Sequence, residues 1–205
     1  MIGAAATPTE GKTLRLTVLL SGSGRTLENL LDWIAAGRLA ASVERVVSSR
    51  GDVRGVRLAE RAGIPVTVLP PAGRPLADWS DAIFAACREA RPDLVVMAGF
   101  LHLVVIPADF AGRVINIHPA LLPAFGGKGF HGMHVHRAVL DRGCTVSGCT
   151  VHLVDNEYDH GRILLQKTVP VLPDDTPDSL AARVFAAECQ ALPEAIMQLA
   201  ARRQP

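Results

Sequence analysis

Apolar residues recur along this chain in short runs, and each run is followed by a longer stretch whose apolar positions fall three and four apart. "LRLTVLL" (Leu14 to Leu20) reads as a buried strand, and "LENLLDWIAAG" then sets Leu27, Leu30, Leu31, Ile34 and Ala35 on one helical face, with Gly37 as its stop. The pattern repeats in "SVERVVSS" with "VRGVRLAERAG", and in "IPVTVLP" with "LADWSDAIFAACREA". It continues in "DLVVMAG", a short segment near Pro107 to Phe110, and "RVINIH". Such alternation predicts crossover units on a parallel sheet. After Cys144 the texture changes, because "VSGCTVHLV" and "RILLQKTVPV" are separated only by "DNEYDHG", too short for a crossover helix, so these two strands are expected to pair antiparallel. A last helix is expected from about Thr176 to Arg203, capped by Asp174 or Asp175 and kinked at Pro193. The predicted fold is a single-domain α/β protein. Its sheet is open, twisted, mostly parallel and Rossmann-like, with helices on both faces and an antiparallel C-terminal strand pair. Residues 1–13 are expected to form a disordered tail before a domain spanning residues 14–205.

Composition narrows the class. With 205 residues the chain suits one core, and a formal charge of +1 with both signs interspersed leaves no footprint for nucleic acid or an anionic membrane. No apolar run reaches the ~20 residues of a membrane span, and "MIGAAATPTEGK" lacks the apolar core of a signal peptide, so a cytoplasmic protein with small-molecule partners is expected. Cys87, Cys144, Cys149 and Cys189 follow no CxxC spacing and read as free thiols.

The candidate chemistry gathers where the strands end, the place where ligands collect in open α/β sheets. "SGSGRT" (residues 21–26) lets backbone N–H groups approach an anion at a helix N-terminus, or it is simply a tight turn. It is neither a Walker A loop nor the dinucleotide fingerprint, so a single phosphate monoester is the ligand it would suit. "MAGFLHLVV" offers Gly99 and an apolar wall of Phe100, Leu101, Leu103 and Val104, suited to a flat aromatic ligand or to ordinary core packing. In "VINIHPALLPAFGGKGFHG" Asn116 and His118 share one strand face with Val114, while Ile115 and Ile117 take the other. An amide and an imidazole at one spot meet the needs of acyl transfer: an oxyanion donor and a proton carrier. "DNEYDHG" supplies candidate carboxylates in Asp155, Glu157 and Asp159. His131, His134 and His136 match no zinc-site spacing, and on a helix His134 and His136 would diverge, so no metal is expected.

Together "LLSGSGRTLENLL", "MAGFLHLV", "NIHPALLPAFGGKGFHG", "SGCTVHLVDNEYDHGRILLQ" and "AARVFAAE" resemble, in order and spacing, the phosphoribosylglycinamide formyltransferases, folate-dependent enzymes of purine synthesis. The resemblance runs from about Leu14 to Leu199. It implies 10-formyltetrahydrofolate as co-substrate, glycinamide ribonucleotide as acceptor, and a monomer or homodimer. It implies catalytic roles for Asn116, His118 and Asp159, and ribonucleotide contacts from Gly22, Gly24, Arg25, Thr26, Gly99 and Glu188. The folate would meet Leu101, His102, Leu103, Val104, Asn116, Asp155, Asn156, Glu157, Tyr158 and Asp159, largely through backbone groups. Four positions depart from the family's pattern: Thr26 stands in place of Asn, His102 of Arg, Leu76 of Arg with Arg74 nearby, and His160 of Gly or Ala. Methionyl-tRNA formyltransferase adds a basic C-terminal domain and formyltetrahydrofolate hydrolase an N-terminal regulatory domain. With a short head before Leu14 and an end at the last helix, this chain is expected to be neither. A phosphate-ligand sensor on the same scaffold is the non-enzymatic alternative, and it would not require Asn116, His118 and Asp159 together.

Overall fold

The computed structural model describes residues 13–202, so the expected tail at 1–13 lies outside the described residues except for Thr13. Seven strands form one sheet: β1 (Leu14–Leu20), β2 (Ala41–Ser48), β3 (Val66–Val68), β4 (Leu94–Met97), β5 (Val114–His118), β6 (Val146–Leu153) and β7 (Ile163–Pro170). Their order across the sheet is β3-β2-β1-β4-β5-β6-β7. The helices are α1 (Arg25–Ala35), α2 (Arg54–Arg61), α3 (Leu76–Ala90), α4 (Met133–Asp141) and α5 (Pro177–Ala201), with a 3-10 turn at Ala108–Phe110.

Strands β1 to β5 pair in parallel, and the antiparallel part begins one strand earlier than the sequence pattern suggests, because β6 runs antiparallel to both β5 and β7. The central strand β4 is apolar throughout, and β1 nearly so, because both faces of the sheet are covered there. Leu16, Val18 and Leu20 of β1 join Leu27 and Leu30 of α1 and Leu180 and Val184 of α5 in one core layer. Leu19 points the other way and joins Trp79, Ile83 and Phe84 of α3. Leu16, Leu19 and Ile115 are fully buried, and truncating any of them to Ala would cost about 2–5 kcal/mol.

One local expectation is corrected. The cap of α5 is Thr176, whose hydroxyl accepts from the Ser179 N–H while the Ser179 side chain accepts from the Thr176 N–H. Asp175 instead accepts from the Leu172 N–H and from Arg183, and so anchors the turn before the helix. The helix also continues as a single element through Pro193 to Ala201.

After β1 the chain winds outward through β2 and β3, then returns to place β4 on the other side of β1. The connections therefore diverge at the carboxyl ends of β1 and β4, which opens a crevice there. Ser21 ties its two sides: its N–H donates to the Gly99 carbonyl (3.1 Å), and its hydroxyl accepts from the Leu101 N–H (3.2 Å).

Candidate active site

Strand β5 ends at this crevice. Asn116 and His118 project from the face that carries Val114, while Ile115 and Ile117 enter the opposite core layer, as the alternation predicted. Opposite Asn116 on β6 stands His152. Asp159 completes the group from the β6–β7 loop, in a left-handed backbone conformation (φ 53°) that aims its carboxylate back at the strand end.

The bonds divide into a tight frame and two loose contacts. In the frame, His118 Nε2 donates to the Phe125 carbonyl (2.8 Å), and Gly127 N–H donates to Asp159 Oδ2 (3.0 Å). His152 Nδ1 lies 2.8 Å from the Leu153 carbonyl, and since a carbonyl only accepts, the proton is assigned to Nδ1. That leaves His152 Nε2 as acceptor for Asn116 Nδ2 at 3.1 Å. The loose contacts, both 3.4 Å, run from Asp159 Oδ1 to Asn116 Nδ2 and from Asp159 Oδ2 to His118 Nδ1. His152 Nε2 lies 3.6 Å from Asp159 Oδ1.

Burial lowers the pKa of His118, against the opposing pull of the Asp159 carboxylate and the Phe125 carbonyl. Burial alone would raise Asp159, but the neighbouring His152 and His118 rings and the Gly127 N–H outweigh it, so its pKa lies below the ordinary carboxyl value. The result is a carboxylate facing a mostly neutral imidazole. His118 holds one proton on Nε2, and its Nδ1 lone pair looks at an anion across a gap that one further proton would bridge.

These groups line a cavity of about 610 Å³. The N-terminus of α1 also lines it, where Gly24 (φ 73°) makes the turn and no side chain caps the helix. A Cβ at Gly24 would lie 2.6 Å from the Gly55 Cα, so the turn requires glycine for space as well as for conformation. Arg25, Thr26, Gly99 and Glu188 all line this cavity, and Gly22 lies behind it, its carbonyl accepting from the Gly55 N–H. Glu188 is only partly exposed, and burial pushes its carboxyl up to about 8 despite the nearby Arg25.

A smaller cavity of about 50 Å³ adjoins this one and is lined by His102, Leu103, Val104 and Glu157, with Phe100, Asn116, Tyr158 and Asp159 shared between the two. Leu101 lines the larger one. The two expected folate segments are therefore adjacent, and they are latched: Tyr158 Oη accepts from the Leu103 N–H (3.2 Å), and Asn156 Oδ1 from the Ile106 N–H (2.8 Å). Asp155 turns away and pairs with His160 (2.7 Å), which raises the imidazole pKa and helps to lower that of Asp155 against its burial. His102 packs edge-on against Trp79 and Phe100, and burial lowers its pKa.

The cavity residues not legible as such in the sequence include His152, His136 and Phe185. His152 stands in an apolar strand, and a lone imidazole in "TVHLV" was the one available signal. His136, weighed only as a metal ligand, is buried on α4 and lines the cavity with Nδ1 unpartnered among the described residues, while His134 is exposed. Phe185 of α5 lines the cavity too. Among the described residues no cluster of three His, Cys, Asp or Glu side chains is placed to hold a metal, and no helix is long and apolar enough to cross a membrane.

The formyl transferase family pattern matches residues 14–196. This chain belongs to the formyl transferase family. Within that family it is 42% identical over 189 residues to phosphoribosylglycinamide formyltransferase of Mycobacterium tuberculosis, covering 91% of this chain and 85% of the relative. It is 41% identical over 180 residues to the chloroplastic phosphoribosylglycinamide formyltransferase of Arabidopsis thaliana, covering 86% of this chain. The chain spans only 62% of the length of that plant relative. The crystal structure of glycinamide ribonucleotide transformylase 1 from Symbiobacterium toebii superposes with a TM-score of 0.86 at 39% identity, covering 97% of this chain and 93% of the other. This formyl transferase thus shares both sequence and fold with proteins of that name over nearly all its described residues.

Proposed function

We propose that this formyl transferase moves the formyl group of 10-formyltetrahydrofolate to the glycyl amine of 5'-phosphoribosylglycinamide, yielding the N-formyl ribonucleotide and tetrahydrofolate for purine synthesis. The observation that carries this reading is one cavity with Asn116, His118 and Asp159 on its wall and an uncapped helix N-terminus with Arg25 at its end. A phosphorylated acceptor held at the helix N-terminus would lie in the same cavity as those three side chains.

A free α-amino group titrates near about 8, so much of the acceptor amine is neutral at physiological pH and needs mainly placement. Its nitrogen attacks the formyl carbon, and the carbonyl oxygen becomes an oxyanion. The two 3.4 Å contacts are the ones that yield: Asn116 Nδ2 releases Asp159 and turns toward the oxyanion, while its 3.1 Å bond to His152 keeps the amide in place. The proton lost by the amine settles between His118 Nδ1 and Asp159 Oδ2, and the resulting imidazolium stabilises the oxyanion beside it. When the C–N10 bond breaks, that proton passes to N10 and the site is restored. No covalent enzyme intermediate is needed.

The folate is proposed to sit along Leu101 to Val104 and the 155–159 loop, and the ribonucleotide against Gly24, Arg25, Thr26 and Glu188. We further propose that the enzyme works in the cytoplasm as a monomer or homodimer. The test is a spectrophotometric assay of folate release from 10-formyltetrahydrofolate with and without glycinamide ribonucleotide. Release that depends on the ribonucleotide is expected. Release without it would make the protein a hydrolase, and no release in either case would overturn the reading.

A further inference from the structure

At the phosphate end of the cavity, the Arg25 guanidinium carbon lies 3.7 Å from the centre of the Phe185 ring. Arg25 is the first residue of α1 and Phe185 lies in α5, and the Asn29 side chain ties the two helices by donating to the Cys189 carbonyl at 2.9 Å. Among the described residues no protein acceptor takes a hydrogen bond from the Arg25 guanidinium, and no carboxylate forms an ion pair with it. Arg54, Arg88 and Arg183, by contrast, each engage a carboxylate directly. Arg25 is exposed, yet one face of its plane is covered by the ring, so its N–H edges stay open to the cavity.

This arrangement solves a problem set by the sequence. A long cationic side chain at a helix start would ordinarily sample many rotamers, or swing to Glu188, one turn beyond Phe185 on the same helix. Either outcome removes it from the ligand. A flat aromatic face holds a guanidinium by cation–π attraction without consuming any of its five donors. The donors then stand next to the uncapped N–H groups of the α1 N-terminus, and the two sets together suit the several oxygens of a phosphate monoester.

We propose that Phe185 is a positioning residue that holds Arg25 as one jaw of a phosphate clamp, the other jaw being the α1 N-terminus. The inference rests on the function proposed above for the choice of phosphate, and on the Arg25–Phe185 stack for the device.

The experiment measures binding of ribose 5-phosphate by calorimetry to the wild-type chain, Phe185→Leu, Phe185→Trp, Arg25→Ala and the Arg25→Ala/Phe185→Leu double variant. Phe185→Leu keeps apolar volume and loses the ring, and should weaken binding about tenfold, equivalent to about 1.4 kcal/mol. Phe185→Trp should restore it, and in the Arg25→Ala background Phe185→Leu should add nothing. In steady-state assays the KM for glycinamide ribonucleotide should rise in Phe185→Leu, with kcat and the folate KM unchanged. Equal affinities in wild type and Phe185→Leu would overturn the clamp, and so would an undiminished Phe185→Leu effect without Arg25, because Phe185 would then act only by packing. Wild-type failure to bind ribose 5-phosphate would overturn it as well. If ribose 5-phosphate binding depends on Phe185 but no ribonucleotide-dependent turnover occurs, the proposed reaction fails and the clamp stands.

Discussion

Asp159 faces His118 and Asn116 through contacts of 3.4 Å each, while its bond to Gly127 is 3.0 Å, so its position is fixed by the frame and its charge is left for the reaction. Asp159→Asn keeps the shape and removes the charge that would hold a proton on His118. It should lower kcat by about 10²–10⁴-fold with ribonucleotide affinity retained, measured by single-turnover kinetics beside calorimetry. His118→Ala should behave in the same way. Loss of affinity with normal turnover would contradict the assignment. Glu188 carries the second residue-level prediction. Its carboxyl is raised to about 8, so it is neutral at pH 7 and can exchange hydrogen bonds with hydroxyl groups without repelling a phosphate. Folding takes up this proton, so the stability tied to it is present at low pH and is lost as pH rises through about 8. Glu188→Gln should therefore bind ribonucleotide like wild type at pH 7, whereas Glu188→Ala should not. The wild-type KM for ribonucleotide should climb above pH about 8 while that of Glu188→Gln stays level, and equal pH profiles would refute the neutral carboxyl.

Among the elements, α5 does the most for the site, since it carries both Phe185 and Glu188 to the cavity. Its start is held by Asp175, whose carboxylate accepts from Arg183 at 2.6 and 2.9 Å, from the Ser179 hydroxyl and from the Leu172 N–H. Arg183 foremost among these donors holds the Asp175 pKa far below the ordinary carboxyl value. A depressed carboxyl contributes stability above its unfolded pKa and loses it as pH falls through the folded one. Asp175→Asn should therefore lower the Tm at pH 7, and the gap to wild type should close as pH falls below about 4. A gap that persists undiminished at acid pH would assign the effect to shape. Asp174 or Asp175 is the cap expected from sequence, because carboxylates favour helix starts, but Thr176 fills that role. Asp175 was in the right place for a different task, since a charge so near Arg183 gains more from a bidentate pair than from one backbone N–H.

On the scale of the whole molecule, the two cavities meet at Phe100, Asn116, Tyr158 and Asp159, so ligands held in both would bear on one folded unit. Ribonucleotide or a 10-formyl-dideazafolate surrogate at about 100 times its Kd should add about 2.7 kcal/mol of stability. That corresponds to a Tm rise of roughly 5–10 °C for a domain of this size, readable by calorimetry. Absence of any shift with the folate surrogate would count against the proposed folate segments. The sequence by itself determined the alternation of strands and helices, the open sheet, and the shared face of Asn116 and His118, because backbone periodicity is a local property that side chains report directly. Family motifs in the sequence also pointed to Asp159, 41 positions beyond His118. Only the tertiary structure decided that β6 lies beside β5, which brings His152 against Asn116, and that α5 packs against α1, which sets Phe185 under Arg25. Contacts of that kind join segments far apart in the chain, and which apolar faces come together is settled by packing the whole core, so no local pattern carries them.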